Sequence, residues 1–149
     1  MMKVSDFLSS ADVTIDAAFA DKQKLLEDLA RQAAAIVDLE PDLILAELQK
    51  REELGSTGMG GGVAIPHARF HHLHKPFGML VRLKKPIEFD AVDGKRVDTV
   101  ALLLLPDVHE GERLGALACF ARKLRDPVVM TALRRALDGA EIYRSLTAD

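Results

Sequence analysis

Tryptophan is missing from the 149-residue sequence, and tyrosine and cysteine occur once each. One cysteine, Cys119, excludes an intrachain disulfide and any zinc site built from several thiolates. Its surroundings, Gly115-Ala116-Leu117-Ala118-Cys119-Phe120-Ala121, read as apolar helix, so it is expected to be a small core residue. The scarcity of aromatics demands a core of aliphatic side chains. Long apolar runs are also lacking. The longest, Val100 to Leu105, has six residues, far too few to span a bilayer as a helix, so no membrane insertion is expected. No apolar stretch follows the first charges at Lys3 and Asp6, which argues against a secretory signal and for the cytoplasm. Charge of one sign is not in excess. The net charge is -3 with both signs interspersed, so the basic stripe that nucleic-acid phosphates require is absent.

What is present suits one domain over residues 1–149. Hydrophobic residues make up 48% and charged residues 29%, enough for a buried core and too apolar for disorder. Leu25, Leu26, Leu29, Ala33, Ile36 and Val37 recur at helical spacing behind a capping Asp21, predicting a helix over Lys22–Val37. Pro41 suits the first turn of a second helix running to about Glu53. Val63-Ala64-Ile65 and Gly78–Leu83 read as strands, and Pro86–Gly94 as a hairpin or edge loop turning at Asp93-Gly94. Val97–Leu105 predicts a central strand covered on both faces. A helix over Gly111–Arg125, with Leu114, Leu117, Ala118, Ala121 and Leu124 on its apolar face, precedes two shorter helices at Val128–Leu137 and Ala140–Leu146. This order implies an α/β fold, a single layered domain with a small mixed β-sheet flanked by α-helices.

The stretch that points to chemistry runs from Arg51 to Arg69. Five glycines fall in the eight residues Gly55-Ser56-Thr57-Gly58-Met59-Gly60-Gly61-Gly62. Glycine is costly to order, so such a loop is expected to need positive φ or the close approach of another group, and successive amides can cradle an anion. It is not a Walker loop, since no Gly-Lys-Ser/Thr follows. His67 follows Pro66, which fixes the local backbone, so the imidazole is expected to leave the sheet edge beside the loop. A neutral imidazole is a competent nucleophile toward phosphorus, with loop amides and Arg69 available to hold the oxygens. A structural histidine is the competing reading of the same residues.

Leu54-Gly55-Ser56-Thr57-Gly58, Gly60 and Gly62-Val63-Ala64-Ile65-Pro66-His67-Ala68-Arg69 together resemble the active-site signature of the fructose/mannitol/nitrogen enzyme IIA family of bacterial phosphotransferase systems. The likeness extends to Asp6-Phe7-Leu8, Lys24–Ala30, Pro86–Gly94 and Leu124-Arg125-Asp126, and is greatest to the nitrogen-regulatory branch. The resemblance implies a phosphoryl acceptor at His67, loaded from an HPr-like phosphocarrier, and a mixed sheet flanked by helices. Ser56, Thr57, Gly58, Gly60 and Arg69 are then expected to bind phosphate. A regulated target, such as a transporter or sensor kinase, is a possible further partner. No metal or cofactor is implied. Two other readings stay open: a regulatory binding module phosphorylated weakly or not at all, and a sugar-specific component.

One departure stands out. Family members usually carry a second histidine in a His-Leu-x-x-Leu-Ala pattern, whereas this chain has Arg113-Leu114-Gly115-Ala116-Leu117-Ala118. Arginine can hold phosphate bidentately but cannot exchange a proton. Arg113 is therefore expected to face His67, stabilise its phosphoryl group and lower its pKa, with His109 a possible substitute for the missing histidine. Gly61 also stands where many members have a polar residue. His71-His72-Leu73-His74 reads as a solvated loop before a metal site, and Glu52, Glu53, Glu88, Asp90 and Asp93 as surface charges before a catalytic pair, although Glu88 and Asp90 are expected near His67. The basic run Arg122, Lys123, Arg125, Arg134 and Arg135 reads as a solvated helix face.

Overall fold

A computed structural model describes residues 2–107 and 110–148 of the chain. After a 3-10 turn at Val4–Asp6, the elements in order are β1 (Leu8–Ala17), α1 (Lys22–Val37), α2 (Pro41–Glu53), β2 (Gly58–Gly60), β3 (Val63–Ala64), β4 (His67–Phe70), β5 (Phe77–Ile87), β6 (Val97–Pro106), α3 (Glu110–Arg125), α4 (Pro127–Arg135) and α5 (Gly139–Thr147). The strands form one mixed sheet in the order β1-β5-β6-β3-β2, with β4 pairing β6 in line with β3. β5 runs antiparallel to β6, whereas β3 and β4 run parallel to it. No helix among the described residues is long and apolar enough to cross a membrane.

The sheet separates two cores. Val100, Leu102 and Leu104 of β6 pack with Leu25, Leu29, Ile44 and Leu48 of α1 and α2. The alternate residues Ala101, Leu103 and Leu105 pack with Phe120, Leu124, Leu133 and Ile142 of α3, α4 and α5. Strand periodicity thus sends successive residues of one apolar run into opposite layers. Three helices are capped by aspartates, of which Asp21 is the one expected from sequence. Asp21 accepts from Lys24 N at 2.9 Å, Asp126 from Val128 N at 2.9 Å and Asp138 from Glu141 N at 2.9 Å.

Three strands, β1, β2 and β4, were not foreseen by periodicity. β1 does alternate, with Ala11, Val13, Ile15 and Ala17 between polar residues, yet it buries only Leu8 and Val13 deeply. The apolar face of α3 is also rotated from the expected one. Ala116, Cys119, Phe120 and Leu124 face the core, while Leu114 is 57% exposed. The expected loop at Pro86–Gly94 is the β5–β6 connection, with Gly94 N donating to Ala91 O at 2.9 Å in its turn.

Backbone approach is tightest where α5 meets the edge strand. A Cβ on Gly139 would lie 2.3 Å from Val13 O. Gly139→Ala is expected to cost about 1–3 kcal/mol by overpacking this contact. Urea denaturation checks it, and an unchanged midpoint would count against the packing described.

Candidate functional site

His67 opens β4. The chain from β3 through Ile65-Pro66 into β4 follows one path along β6, with Val63 opposite Thr99 and His67 opposite Leu103. Pro66 has no N–H to give the ladder, but its carbonyl accepts from Leu103 N at 3.0 Å. His67 therefore stands on an edge strand, as expected from sequence, because β4 pairs with β6 alone. Along β4, Ala68 and Phe70 enter the core beneath α1 and α2, so His67 and Arg69 turn to the other face.

The imidazole is half-buried, and its Nδ1 lies 2.8 Å from Ile65 O. A carbonyl can only accept, so Nδ1 carries the proton and Nε2 the lone pair. Nε2 has no hydrogen-bond partner among the described residues. Burial holds the His67 pKa below the ordinary imidazole range, with the Arg51 guanidinium adding to it, while the Ile65 carbonyl and the Glu52 carboxylate oppose the shift. The ring is thus neutral and nucleophilic at neutral pH. The cation acting on His67 is Arg51, not Arg113 as expected from sequence.

His67 opens into a cleft of about 730 Å³. Lys50, Arg51, Arg69 and Arg113 line it, against the acids Glu47 and Asp107, so the cleft favours an anion. Arg51 donates from Nη1 to Gly55 O at 2.8 Å and Arg113 from Nη1 to Asp107 O at 3.1 Å. Apolar side chains, among them Leu54, which is 86% exposed, and Leu114, form part of the rim. Arg113 and Arg69 are thus brought to the same cleft as His67. Arg51 was missed as a site residue, although it begins the stretch singled out. Its signal was its position one turn of helix before the glycine loop.

The glycine loop divides in two, and neither half lines the cleft. Ser56 Oγ donates to Phe89 O at 2.6 Å, and the Gly58 amide donates to Ser56 Oγ at 3.0 Å. The Thr57 amide and hydroxyl both donate to the Glu52 carboxylate. These donors, expected from sequence to bind phosphate, are engaged by the protein in this structure. Gly58 instead allows a backbone crossing, since a Cβ there would lie 2.8 Å from Ala91 Cβ. Gly60 pairs with Val63, opposite Thr99, whereas His67 stands opposite Leu103. Four residues of strand separate them, about 13 Å. Gly61 and Gly62 form the tip of the β2–β3 hairpin, with φ of 66° and 80°, and Gly61 N donates to Asp93 Oδ2 at 3.0 Å.

The other candidates fall elsewhere. His71 lines the rim, with Nδ1 3.0 Å from Asp107 Oδ2, and His71, His72 and His74 are all exposed. Among the described residues no three His, Cys, Asp or Glu side chains group as a metal site. Glu88, Asp90 and Asp93 do not line the cleft, and Glu88 lies 3.5 Å from Arg96, so the expectation that Glu88 and Asp90 lie near His67 is not met. Arg134 is not merely solvated, because it holds Asp98 at 3.0 Å and Gly61 O at 2.7 Å. His109 lies outside the described residues.

Comparison with known proteins agrees with this geometry. Residues 6–148 match the family described as phosphoenolpyruvate-dependent sugar phosphotransferase system, EIIA 2. A nitrogen regulatory protein of Bradyrhizobium diazoefficiens is 37% identical over 145 residues, covering 97% of this chain and 95% of that protein. One from Escherichia coli strain K12 is 35% identical over 127 residues, covering 85% and 78%. The crystal structure of the nitrogen regulatory protein IIA-Ntr from Neisseria meningitidis superposes with a TM-score of 0.92 at 31% identity, covering 97% of this chain and 99% of that one. A likeness of this extent, spanning both cores and the His67 strand, makes the chain a member of the phosphoenolpyruvate-dependent sugar phosphotransferase system EIIA 2 family.

Proposed function

We propose that His67 accepts a phosphoryl group from a phosphohistidine on an HPr-like carrier, and that the chain works in the cytoplasm as a nitrogen-regulatory type of phosphoryl carrier. The observation that carries this reading is the His67 ring itself, with Nδ1–H on the Ile65 carbonyl and Nε2 unpartnered in a cationic cleft. In the transfer, an N–P bond forms at Nε2 as the donor's N–P bond breaks. Nδ1 keeps its proton, so the phosphorylated ring carries positive charge that the Ile65 carbonyl supports. Arg51, Arg69 and Arg113 are the groups available to the phosphoryl oxygens, because transfer of this kind is mostly positioning and charge stabilisation.

Arg113 favours a second reading, a regulatory module whose phosphorylated state is held for signalling and exchanged slowly. A guanidinium in place of the family's histidine can bind the dianion but has no proton to give. A transporter or sensor kinase would be the kind of target such a module serves.

Three outcomes are expected. His67→Ala should abolish base-stable, acid-labile phosphorylation by the carrier, read by intact mass at alkaline pH, while the fold persists. Uptake of phosphate by the variant would refute the assignment. The acid limb of the transfer rate should lie below the pH of about 6.5 expected of an unperturbed imidazole. The sign follows from burial, since a lowered pKa keeps His67 neutral as the pH falls. Initial rates between about pH 5 and about pH 8 decide it. Arg113→Ala should shift the phosphoryl equilibrium toward the donor by about one to two decades, the worth of a charge-assisted hydrogen bond. Equal equilibrium constants would make Arg113 an ordinary rim residue.

A further inference from the structure

Glu52 sits where a carboxylate is poorly placed. It lies in the last turn of α2, where the helix dipole disfavours negative charge, and its side chain is only 7% exposed. Such an anion requires partners, and it has three. Lys22 Nζ of α1 lies 2.7 Å from Oε2, the Thr57 amide donates to Oε2 at 3.1 Å, and the Thr57 hydroxyl donates to Oε1. Lys22 is itself held over the Phe89 ring, 4.4 Å from its centroid. No buried side-chain nitrogen or oxygen is left without a partner among the described residues.

The contacts continue from this knot to the reactive ring. The Thr57 carbonyl accepts from Ile65 N at 3.1 Å, and the Ile65 carbonyl accepts from His67 Nδ1 at 2.8 Å. Between Ile65 and His67 stands Pro66, whose fixed φ leaves the carbonyl and the ring little independent motion. Thus one residue, Ile65, is held by its N–H to Thr57 while its C=O holds the histidine. An imidazole can place its proton on either nitrogen. With the proton on Nε2, the nitrogen left unpartnered in the cleft would be an N–H with no lone pair to attack phosphorus. The choice depends on where the Ile65 carbonyl is held.

We infer that Glu52 and Thr57 are positioning residues for phosphoryl transfer, fixing the Ile65 carbonyl so that His67 keeps its proton on Nδ1 and its lone pair on Nε2. The inference rests on the reading of His67 as acceptor. Thr57 then serves the phosphoryl group through the ring and not by touching it. The Thr57 hydroxyl matters because it commits one carboxylate oxygen of Glu52, leaving the other for the Thr57 amide and Lys22.

The test uses the full chain labelled with nitrogen-15 histidine. Imidazole nitrogen shifts report the His67 tautomer directly, and steady-state transfer from the phosphorylated carrier gives kcat and KM. Wild type and Thr57→Ser, which keeps the hydroxyl, are expected to show the Nδ1–H tautomer. Thr57→Val and Glu52→Gln are expected to show both tautomers and a kcat lowered about tenfold, the scale of a small misplacement of a reacting group, with KM for the carrier unchanged. A merely structural role would move the melting temperature but not the tautomer. A folded Thr57→Val or Glu52→Gln chain that keeps a pure Nδ1–H ring and wild-type kcat would overturn the inference. An Nε2–H ring in wild type would overturn it even if both variants failed to fold. Absence of phosphate on wild-type His67 by intact mass would refute the acceptor reading instead, and the tautomer spectra would still decide whether Glu52 and Thr57 orient the ring.

Discussion

Everything in the molecule hangs on β6, a strand paired along both edges and covered on both faces. Its neighbours are β5 on one side and the β3–β4 line on the other. Val100 to Leu105 are each 3% exposed or less, so the strand has no freedom to shift by one residue. A slip would exchange the residues of the α1–α2 layer with those of the α3–α5 layer, and the two layers differ in shape. This fixed ruler sets the site. His67 stands at Leu103 because Val63 stands at Thr99, and the interval between them contains the proline that interrupts the ladder.

The interruption is what frees the Ile65 carbonyl for the His67 ring. In an unbroken strand the Ile65 carbonyl would be one more rung. Here it is turned to an imidazole two residues on. The site is thereby assembled from both sides of the sheet. α2 brings Arg51 and Lys50, β4 brings His67 and Arg69, and α3 brings Arg113. Opposed influences leave the histidine neutral, with burial and Arg51 pushing its pKa down against Glu52 and the Ile65 carbonyl. A neutral imidazole in a positive cleft suits the proposed transfer, in which the cleft would attract a phosphoryl dianion.

Much of this was legible in the residues, and the failures have physical causes. α1 and α2 were readable because capping and apolar spacing agree with their final environment. β6 was readable because burial on both faces leaves Val100 to Leu105 without a polar residue. The glycine loop was misread in part because glycine density signals unusual backbone without saying why it is needed. Gly58 meets Ala91, and Gly61 and Gly62 turn a hairpin, neither of which involves an anion. Ser56 and Thr57 carry the donors a phosphate would want, but Phe89 O, distant in sequence, and Glu52, at the end of the preceding helix, reach them first. Arg113 was placed correctly beside the cleft, whereas its expected effect on His67 belongs to Arg51. Through-space effects of this kind depend on which cation the fold brings nearest.

β1 precedes the other strands of the sheet and has a single partner, β5, whose residues follow only after α1, α2 and three further strands. During translation the segment from Leu8 to Ala17 is therefore a strand with nothing to pair with. An exposed, regular apolar strand in that position would invite pairing with other chains. This one carries Ser9, Ser10, Asp12 and Asp16, with Leu8 and Val13 as its only deeply buried residues and irregular register on either side of Val13 and Thr14. The polar residues set between Ala11, Val13, Ile15 and Ala17 are thus also what lets the nascent chain carry the strand safely until β5 arrives.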